Sequence, residues 1–211
     1  MTSDFALGFK KYIADRDQLE QAKPVKERII SRHGHARINI LSGAVRSGKT
    51  YVSLFYWILY ILSRPANYEY LMSGRTLTTL KRNCFGLMQD FAPGIFSYSM
   101  SNKKAMLAGR TIWLEGANDD QAEKKIRGLT LSGAYIDEAT LVPKDFFVML
   151  LTRLSVEGAR LYATTNPDAP THWLKTVYID NKKLDLRLTT LKIDDNPYLP
   201  ADYISDAKKS Y

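Results

Sequence analysis

The sequence predicts an α/β fold, a mostly parallel β-sheet with helices on both faces, and three observations carry that prediction. Short β-branched segments alternate with helical ones along most of the 211 residues. A glycine-rich segment joins the first of these strands to an apolar helix. A later strand ends in two consecutive acids. Strands separated by helices pair in parallel through crossovers, and a parallel sheet needs both of its faces covered.

The elements follow in order. Residues 1–36 read as a polar helical lead-in to the same domain, broken at Pro24, with Leu19, Val25, Ile29 and Ile30 as core contacts. Arg37 to Ser42 is short, β-branched and closed by a glycine, which is strand punctuation. Thr50 to Leu62 is apolar almost all round and long enough for three turns, as a helix buried against a sheet requires. Tyr68 to Ser73 is a second strand, and Leu77 to Phe91 is an amphipathic helix stopped by Pro93-Gly94. Residues 95–116 alternate around Ser97–Met100 and Thr111–Leu114, with a basic turn at Asn102-Lys103-Lys104, giving a hairpin or two adjacent strands. Ala117 to Lys125 is polar, a loop or short helix. Strands are expected at Leu131–Ile136, Ala159–Thr165 and Leu186–Leu191, and a helix at Phe146–Leu154. The core therefore spans residues 37–193, and residues 194–211 read as an exit segment.

Composition narrows the class. Apolar residues at 45% and charged residues at 25% are globular values, which exclude a disordered or fibrous chain. Cys84 stands alone, so neither an intrachain disulfide framework nor a multi-cysteine zinc site is available, and a reducing compartment is expected. The stretch Val52 to Leu62 is about half of what a bilayer crossing needs. The N-terminus, with Asp4, Lys10, Lys11 and Asp15, lacks the apolar core of a secretory signal. A soluble intracellular protein without a membrane span is the expectation. The net charge of +8 is uneven: residues 1–132 hold 20 Lys/Arg against 11 Asp/Glu, and residues 133–211 hold 10 against 11. A basic front end suits a polyanion, either nucleotide phosphates or a nucleic-acid backbone.

Gly43-Ala44-Val45-Arg46-Ser47-Gly48-Lys49-Thr50 satisfies the phosphate-loop pattern G-x-x-x-x-G-K-[S/T] in full, between a strand and a helix. Glycines let the backbone wrap a phosphate so that its N–H groups point inward, and the helix N-terminus adds a favourable dipole. Lys49 reaches the β/γ-phosphates, and Thr50 offers a hydroxyl to Mg²⁺. The strand Leu131–Ile136 delivers Asp137 to the carboxyl edge of the sheet, where it can hold Mg²⁺ through its water shell. Glu138, beside it, is placed to polarise an attacking water, which points to hydrolysis. No N-K-x-D guanine signature is present, which weighs against a GTPase. Thr164, Thr165 and Asn166 end the next strand; they read either as groups that touch a γ-phosphate or as plain Asn-Pro turn chemistry.

Gly43–Thr50, Gly74-Arg75-Thr76, Lys125-Ile126-Arg127-Gly128, Gly133–Ala139, Thr164–Asp168 and Asp195-Asn196-Pro197-Tyr198-Leu199-Pro200, in this order, resemble the large subunit of the tailed-phage DNA-packaging terminase. The resemblance runs over most of residues 38–200. It implies a RecA-like (ASCE) P-loop NTPase sheet and an ATP-driven motor that moves double-stranded DNA into a procapsid. It also implies Lys49 and Thr50 on ATP·Mg²⁺, Asp137 as metal support, Glu138 as catalytic carboxylate, and Thr164, Thr165 and Asn166 as the coupling motif. Arg127 stands where the family carries an arginine finger, which stabilises charge on a transferring phosphoryl group. It serves its own ATP or a neighbour's, with the neighbour favoured. The implied partners are double-stranded DNA, a portal protein, a terminase small subunit and further copies in a ring, typically five, with a monomer in isolation as the alternative. The implied location is the host bacterial cytoplasm, with transient residence at the procapsid portal.

Arg46 occupies the fourth position of the phosphate loop, where it can meet the γ-phosphate, DNA or solvent. Gln18 and Gln21 are the candidates for the adenine side. Full terminase large subunits continue into an RNase H-like nuclease, and the 45 residues after Asn166 are too few for one, so no nuclease activity is expected of this chain. Asp180, Asp185, Asp194 and Asp195 then read as surface and linker charges. Lys81, Arg82, Lys103, Lys104, Lys124 and Lys125 are candidates for phosphate contacts to DNA. Trp57 and Trp113 read as core, and His33, His35 and His172 lack metal-ligand spacing. Two other classes compete: a helicase-like P-loop ATPase, and a non-catalytic nucleotide-binding module.

Overall fold

The computed structural model describes residues 34–119 and 121–210. The expectations placed on residues 1–33, including Gln18, Gln21 and His33, lie outside the described residues.

One eight-stranded sheet organises the chain. Its strands are β1 (Ile38–Gly43), β2 (Glu69–Gly74), β3 (Phe96–Ser99), β4 (Lys104–Leu107), β5 (Arg110–Gly116), β6 (Gly133–Ile136), β7 (Arg160–Thr165) and β8 (Leu186–Leu191), in the spatial order β3-β4-β5-β2-β6-β7-β1-β8. The six strands from β5 to β8 in that order are mutually parallel, while β3 and β4 add an antiparallel edge. The mostly parallel sheet read from the sequence is thus present. One expectation is corrected: the basic turn placed at Asn102-Lys103-Lys104 ends one residue earlier, and Lys104 opens a separate strand. The sequence reading missed β4 because it is only four residues long and opens on the second of a pair of lysines, which read as turn.

Helices cover both faces. Helix α1 (Lys49–Leu62) and helix α2, whose segments Leu77–Leu80, Lys81–Phe85 and Gly86–Phe91 run on as one rod with a π-helical turn in the middle, pack on one side. Helix α3 (Lys144–Arg153) and the π-helical α4 (Leu174–Ile179) pack on the other. The period-two alternation of the strands assigns each residue to its layer. Tyr70, Met72, Tyr135 and Tyr162 join Leu54, Trp57, Cys84 and Met88 on the first side. Leu71, Ala134, Ile136, Leu161 and Ala163 join Phe146, Phe147, Leu150 and Leu174 on the second. Gly133 is required by that packing, because a Cβ there would lie 2.7 Å from the Tyr60 ring and 2.9 Å from the Trp57 ring.

The stretch read as an exit segment holds a short 3-10 turn, Ile193–Asp195, and a helix α5 (Ala201–Ser210). Pro200 before the helix, Asp202 in its first turn and Lys208-Lys209 in its last are the signals that could have found it. Among the described residues, no helix is long and apolar enough to cross a membrane.

Candidate active site

In a parallel sheet all carboxyl ends lie along one edge, so β1, β2, β6 and β7 deliver their last residues to the same place. The β1–α1 loop leaves that edge. Gly43 has no room for a side chain: a Cβ would sit 2.3 Å from the Leu191 carbonyl oxygen on β8 and 2.9 Å from Ser47 Oγ. Gly48 adopts φ 84° and caps α1, whose first turn carries neither a capping side chain nor an acid. That helix end presents N–H groups to an anion. Ser47 Oγ is buried without a partner among the described residues. The Lys49 ammonium donates to the Ala44 carbonyl at 3.2 Å. Burial lowers the Lys49 pKa, and the nearby charges of Asp137 and Glu138 oppose that shift. Thr50 follows, half-buried, in the first turn of α1.

β7 lies between β1 and β6, pairing Leu41 with Thr164 on one side and Ile136 with Ala163 on the other. Thr164 therefore stands level with the residue after Ile136. That residue, Asp137, is only 3% exposed, and both of its carboxylate oxygens are engaged. Thr164 Oγ1 donates to Oδ1 at 2.9 Å, and Asn83 Nδ2 on α2 donates to Oδ2 at 2.8 Å. A carboxylate this deeply buried needs such donors to remain in place. The same Thr164 hydroxyl accepts the Glu138 backbone N–H at 3.0 Å, so one side chain fixes both acids. Glu138 is held at φ 56°, ψ 61°, a left-handed conformation that a non-glycine residue adopts at a cost of order 1–3 kcal/mol. The observed strain turns the chain sharply just where the second acid leaves the strand.

Thr165 Oγ1 lies 3.2 Å from Thr140 Oγ1 and 2.9 Å from the Asn166 carbonyl oxygen, while Asn166 Oδ1 is buried without a partner among the described residues. The fold thus brings together Gly43, Gly48, Lys49, Thr50, Asp137, Glu138, Thr164, Thr165 and Asn166 at one edge. Ala44, Val45, Arg46 and Ser47 complete the loop. Val45 is exposed at its tip, and Arg46, at φ 63°, offers its carbonyl to Asn196 Nδ2 at 2.7 Å.

Arg127 does not join this cluster. Its guanidinium makes a two-pronged ion pair with Glu123 at 2.8 and 2.9 Å and is 59% exposed. Its carbonyl accepts from Arg153 at the C-terminal end of α3, the end remote from Asp137. Of the basic residues expected to meet DNA, Lys103 pairs with Glu115, Lys125 with Asp119, and Lys81 and Lys104 lie over the rings of Tyr98 and Trp113. Trp57 is fully buried, and Trp113 is half-buried with its indole N–H on Glu69. His172 Nδ1 accepts the Leu174 N–H at the start of α4. Sequence reasoning missed Asn83, Thr140 and Asn196, three neutral side chains that it gave no role in the site.

The family model described as "Terminase large subunit, T4likevirus-type, N-terminal" matches residues 40–211. No curated protein matches the chain. Among solved structures, the large terminase of a thermophilic bacteriophage is similar, with 27% identity over 83% of this chain, 45% of that chain and a TM-score of 0.76. The same large terminase in complex with ATP-gamma-S gives 26% identity over 87% of this chain and 45% of that one, with a TM-score of 0.73. The N-terminal domain of the DNA packaging ATPase from bacteriophage phi29 shares the fold, with 15% identity over 82% of this chain and 97% of that one at a TM-score of 0.56. The chain spans a little under half the length of the thermophilic phage's large terminase.

Proposed function

The chain belongs to the terminase large subunit family, T4likevirus-type, N-terminal, and on that premise we propose that it hydrolyses ATP to drive double-stranded DNA into a procapsid. The observation that supports this most directly is the Thr164 hydroxyl, which ties Asp137 and Glu138 together at the sheet edge that also carries Lys49. A switch or scaffold has no need of a second, conformationally strained acid beside the first.

The residues fit a magnesium nucleotide. The Gly43 cradle excludes a Cβ, the Ser47 hydroxyl is buried and unpartnered among the described residues, and Lys49 lies within the field of two carboxylates. The Thr50 hydroxyl and the Asp137 carboxylate are the groups that would hold Mg²⁺, whose charge would offset that of the phosphates. Lys49 and the loop N–H groups orient the phosphate chain. Glu138 takes the proton of the attacking water, and Thr164, Thr165 and Asn166 pass a change at that acid to the body of β7. Arg127, turned outward and paired with Glu123, serves a neighbouring copy's nucleotide in a ring of typically five subunits. Portal protein, small subunit and DNA complete the assembly, which works in the host cytoplasm at the procapsid portal.

Steady-state ATPase rates against protein concentration, with Mg²⁺, test this for the wild type, Glu138→Gln and Arg127→Ala. Glu138→Gln should keep nucleotide binding and lose at least about 10²-fold in turnover, the usual contribution of a general base. Wild-type specific activity should climb with concentration, and Arg127→Ala should abolish the climb. Unchanged turnover in Glu138→Gln would overturn the catalytic assignment.

A further inference from the structure

Asp137 is fixed from two independent layers of the molecule. Thr164 holds Oδ1 from the neighbouring strand, where the β-ladder sets its position. Asn83 holds Oδ2 from α2, a helix that belongs to neither strand. The contact is made from within the π-helical turn Lys81–Phe85, where the polar Asn83 reaches the sheet edge while Leu80, Cys84, Phe85 and Met88 around it are buried. Single π-turns within α-helices recur where a helix must aim a side chain into a functional site. The amide's orientation is set by its surroundings, because its oxygen accepts from Arg82 Nε at 3.3 Å and its NH₂ faces the carboxylate.

We propose that Asn83 is a positioning residue for the metal-supporting carboxylate, fixing the rotation of Asp137 about its Cβ–Cγ bond. This rests on the reading of Asp137 as the Mg²⁺ support. The Cβ–Cγ torsion of an aspartate is broad, so one hydrogen bond on Oδ1 leaves the second oxygen free to swing. Two donors, one on each oxygen, define the carboxylate plane. An ionised carboxylate offers about four lone-pair directions. Thr164 and Asn83 take two of them, and those that remain have fixed directions. Asn83 touches neither nucleotide nor metal in this account and acts through Asp137.

The test uses Asn83→Leu, which keeps the shape and removes the amide, and Asn83→Ala as a second variant. Affinity for a fluorescent ATP analogue is measured in EDTA and across a Mg²⁺ titration, alongside thermal melts. The expected result is unchanged affinity in EDTA, with the Mg²⁺ concentration for half-maximal effect raised about tenfold, as losses of outer-shell partners of metal ligands typically do. An equal loss with and without Mg²⁺, tracking a lowered melting temperature, would show a merely structural role and overturn the proposal. So would Mg²⁺ titrations of both Asn83 variants superimposing on the wild type. A wild-type chain whose nucleotide affinity ignores Mg²⁺ would instead refute the reading of Asp137 on which this one rests.

Discussion

The parallel middle of the sheet and its antiparallel edge treat polar groups in opposite ways. Every residue of β6 is buried, as is every residue of β7 after Arg160, and the hydroxyls of Tyr162, Thr164 and Thr165 on β7 are held by hydrogen bonds. Asn39 on β1 accepts the N–H groups of Gly34 and Ala36 and donates to the carbonyls of Ala36 and Leu161. Thr164 commits both its donor and an acceptor to the two acids. On β4, by contrast, half-buried Lys104 and Met106 alternate with buried Ala105 and Leu107, and the polar contacts on and beside it include a Lys103–Glu115 pair and a lysine over a ring. Where water is excluded, no solvent replaces a protein partner, and the hydrogen-bonded geometry becomes sharp enough for chemistry. At the edge, water substitutes for any lost partner. The same sheet therefore contains a rigid block that carries the site and a tolerant border that extends it.

The largest effect expected of this contrast is at Thr164. Thr164→Val keeps the shape of the side chain and strands an Asp137 oxygen and the Glu138 N–H at once. Each buried group left unpaired costs about 1–3 kcal/mol, so denaturant melts should show a loss of several kcal/mol. Nucleotide turnover should fall by about two orders of magnitude, because the strained turn at Glu138 loses its tether. A variant that melts and turns over like the wild type would break the contrast at its strongest point.

Tyr162, on the same strand, sharpens it through pH. Burial pushes its hydroxyl from 10.0 up to about 12, the neighbouring Arg160 opposing, and the hydroxyl donates to the Gly34 carbonyl at 2.9 Å. Burial also raises Tyr70 and Tyr135. With the native pKa above the unfolded one, the stabilisation is fully present below pH 10 and is lost as pH rises through 12. Two pH units correspond to about 3 kcal/mol. Urea unfolding at about pH 8, 10 and 11 should show wild-type stability falling across the upper interval. Tyr162→Phe should start about 1 kcal/mol lower and fall less steeply. Parallel slopes for the two proteins would exclude Tyr162 as a source of the decline.

What was legible in the sequence divides along the same line. The phosphate loop and the acid pair could be read because backbone closeness and metal chemistry admit few residue types: only glycine fits at 43, and only an acid serves at 137. The three-layer arrangement followed from strands alternating with helices. Asn83 could not be read. The spacing of Leu77, Leu80, Cys84 and Met88 is that of an ordinary α-helix, and nothing in it signals the π-turn at the Asp137 contact. Arg127 could be named as a finger candidate, but only the structure shows it paired outward with Glu123. β4 escaped because it is only four residues long and opens on a lysine that reads as part of the turn before it.

Lys103, in the turn before β4, carries the smallest predicted effect and is where the contrast is easiest to break. Its ammonium is half-exposed and pairs with Glu115 at 3.2 Å, an arrangement worth about 0–1 kcal/mol and weakened by salt. Its backbone sits at φ 47°, a left-handed conformation that strains any side chain, and its carbonyl accepts the Leu114 N–H at 2.9 Å. Lys103→Ala loses the pair and keeps the strain, so a cost below about 1 kcal/mol is expected at low salt, disappearing in high salt. Lys103→Gly loses the same pair but takes the left-handed turn freely, so the relief should offset the loss and leave stability within about 0.5 kcal/mol of wild type. Denaturant melts of both variants at two salt concentrations separate the terms. If Lys103→Ala proved as damaging as Thr164→Val, the edge would be no more tolerant than the block, and hydration would not be what distinguishes them.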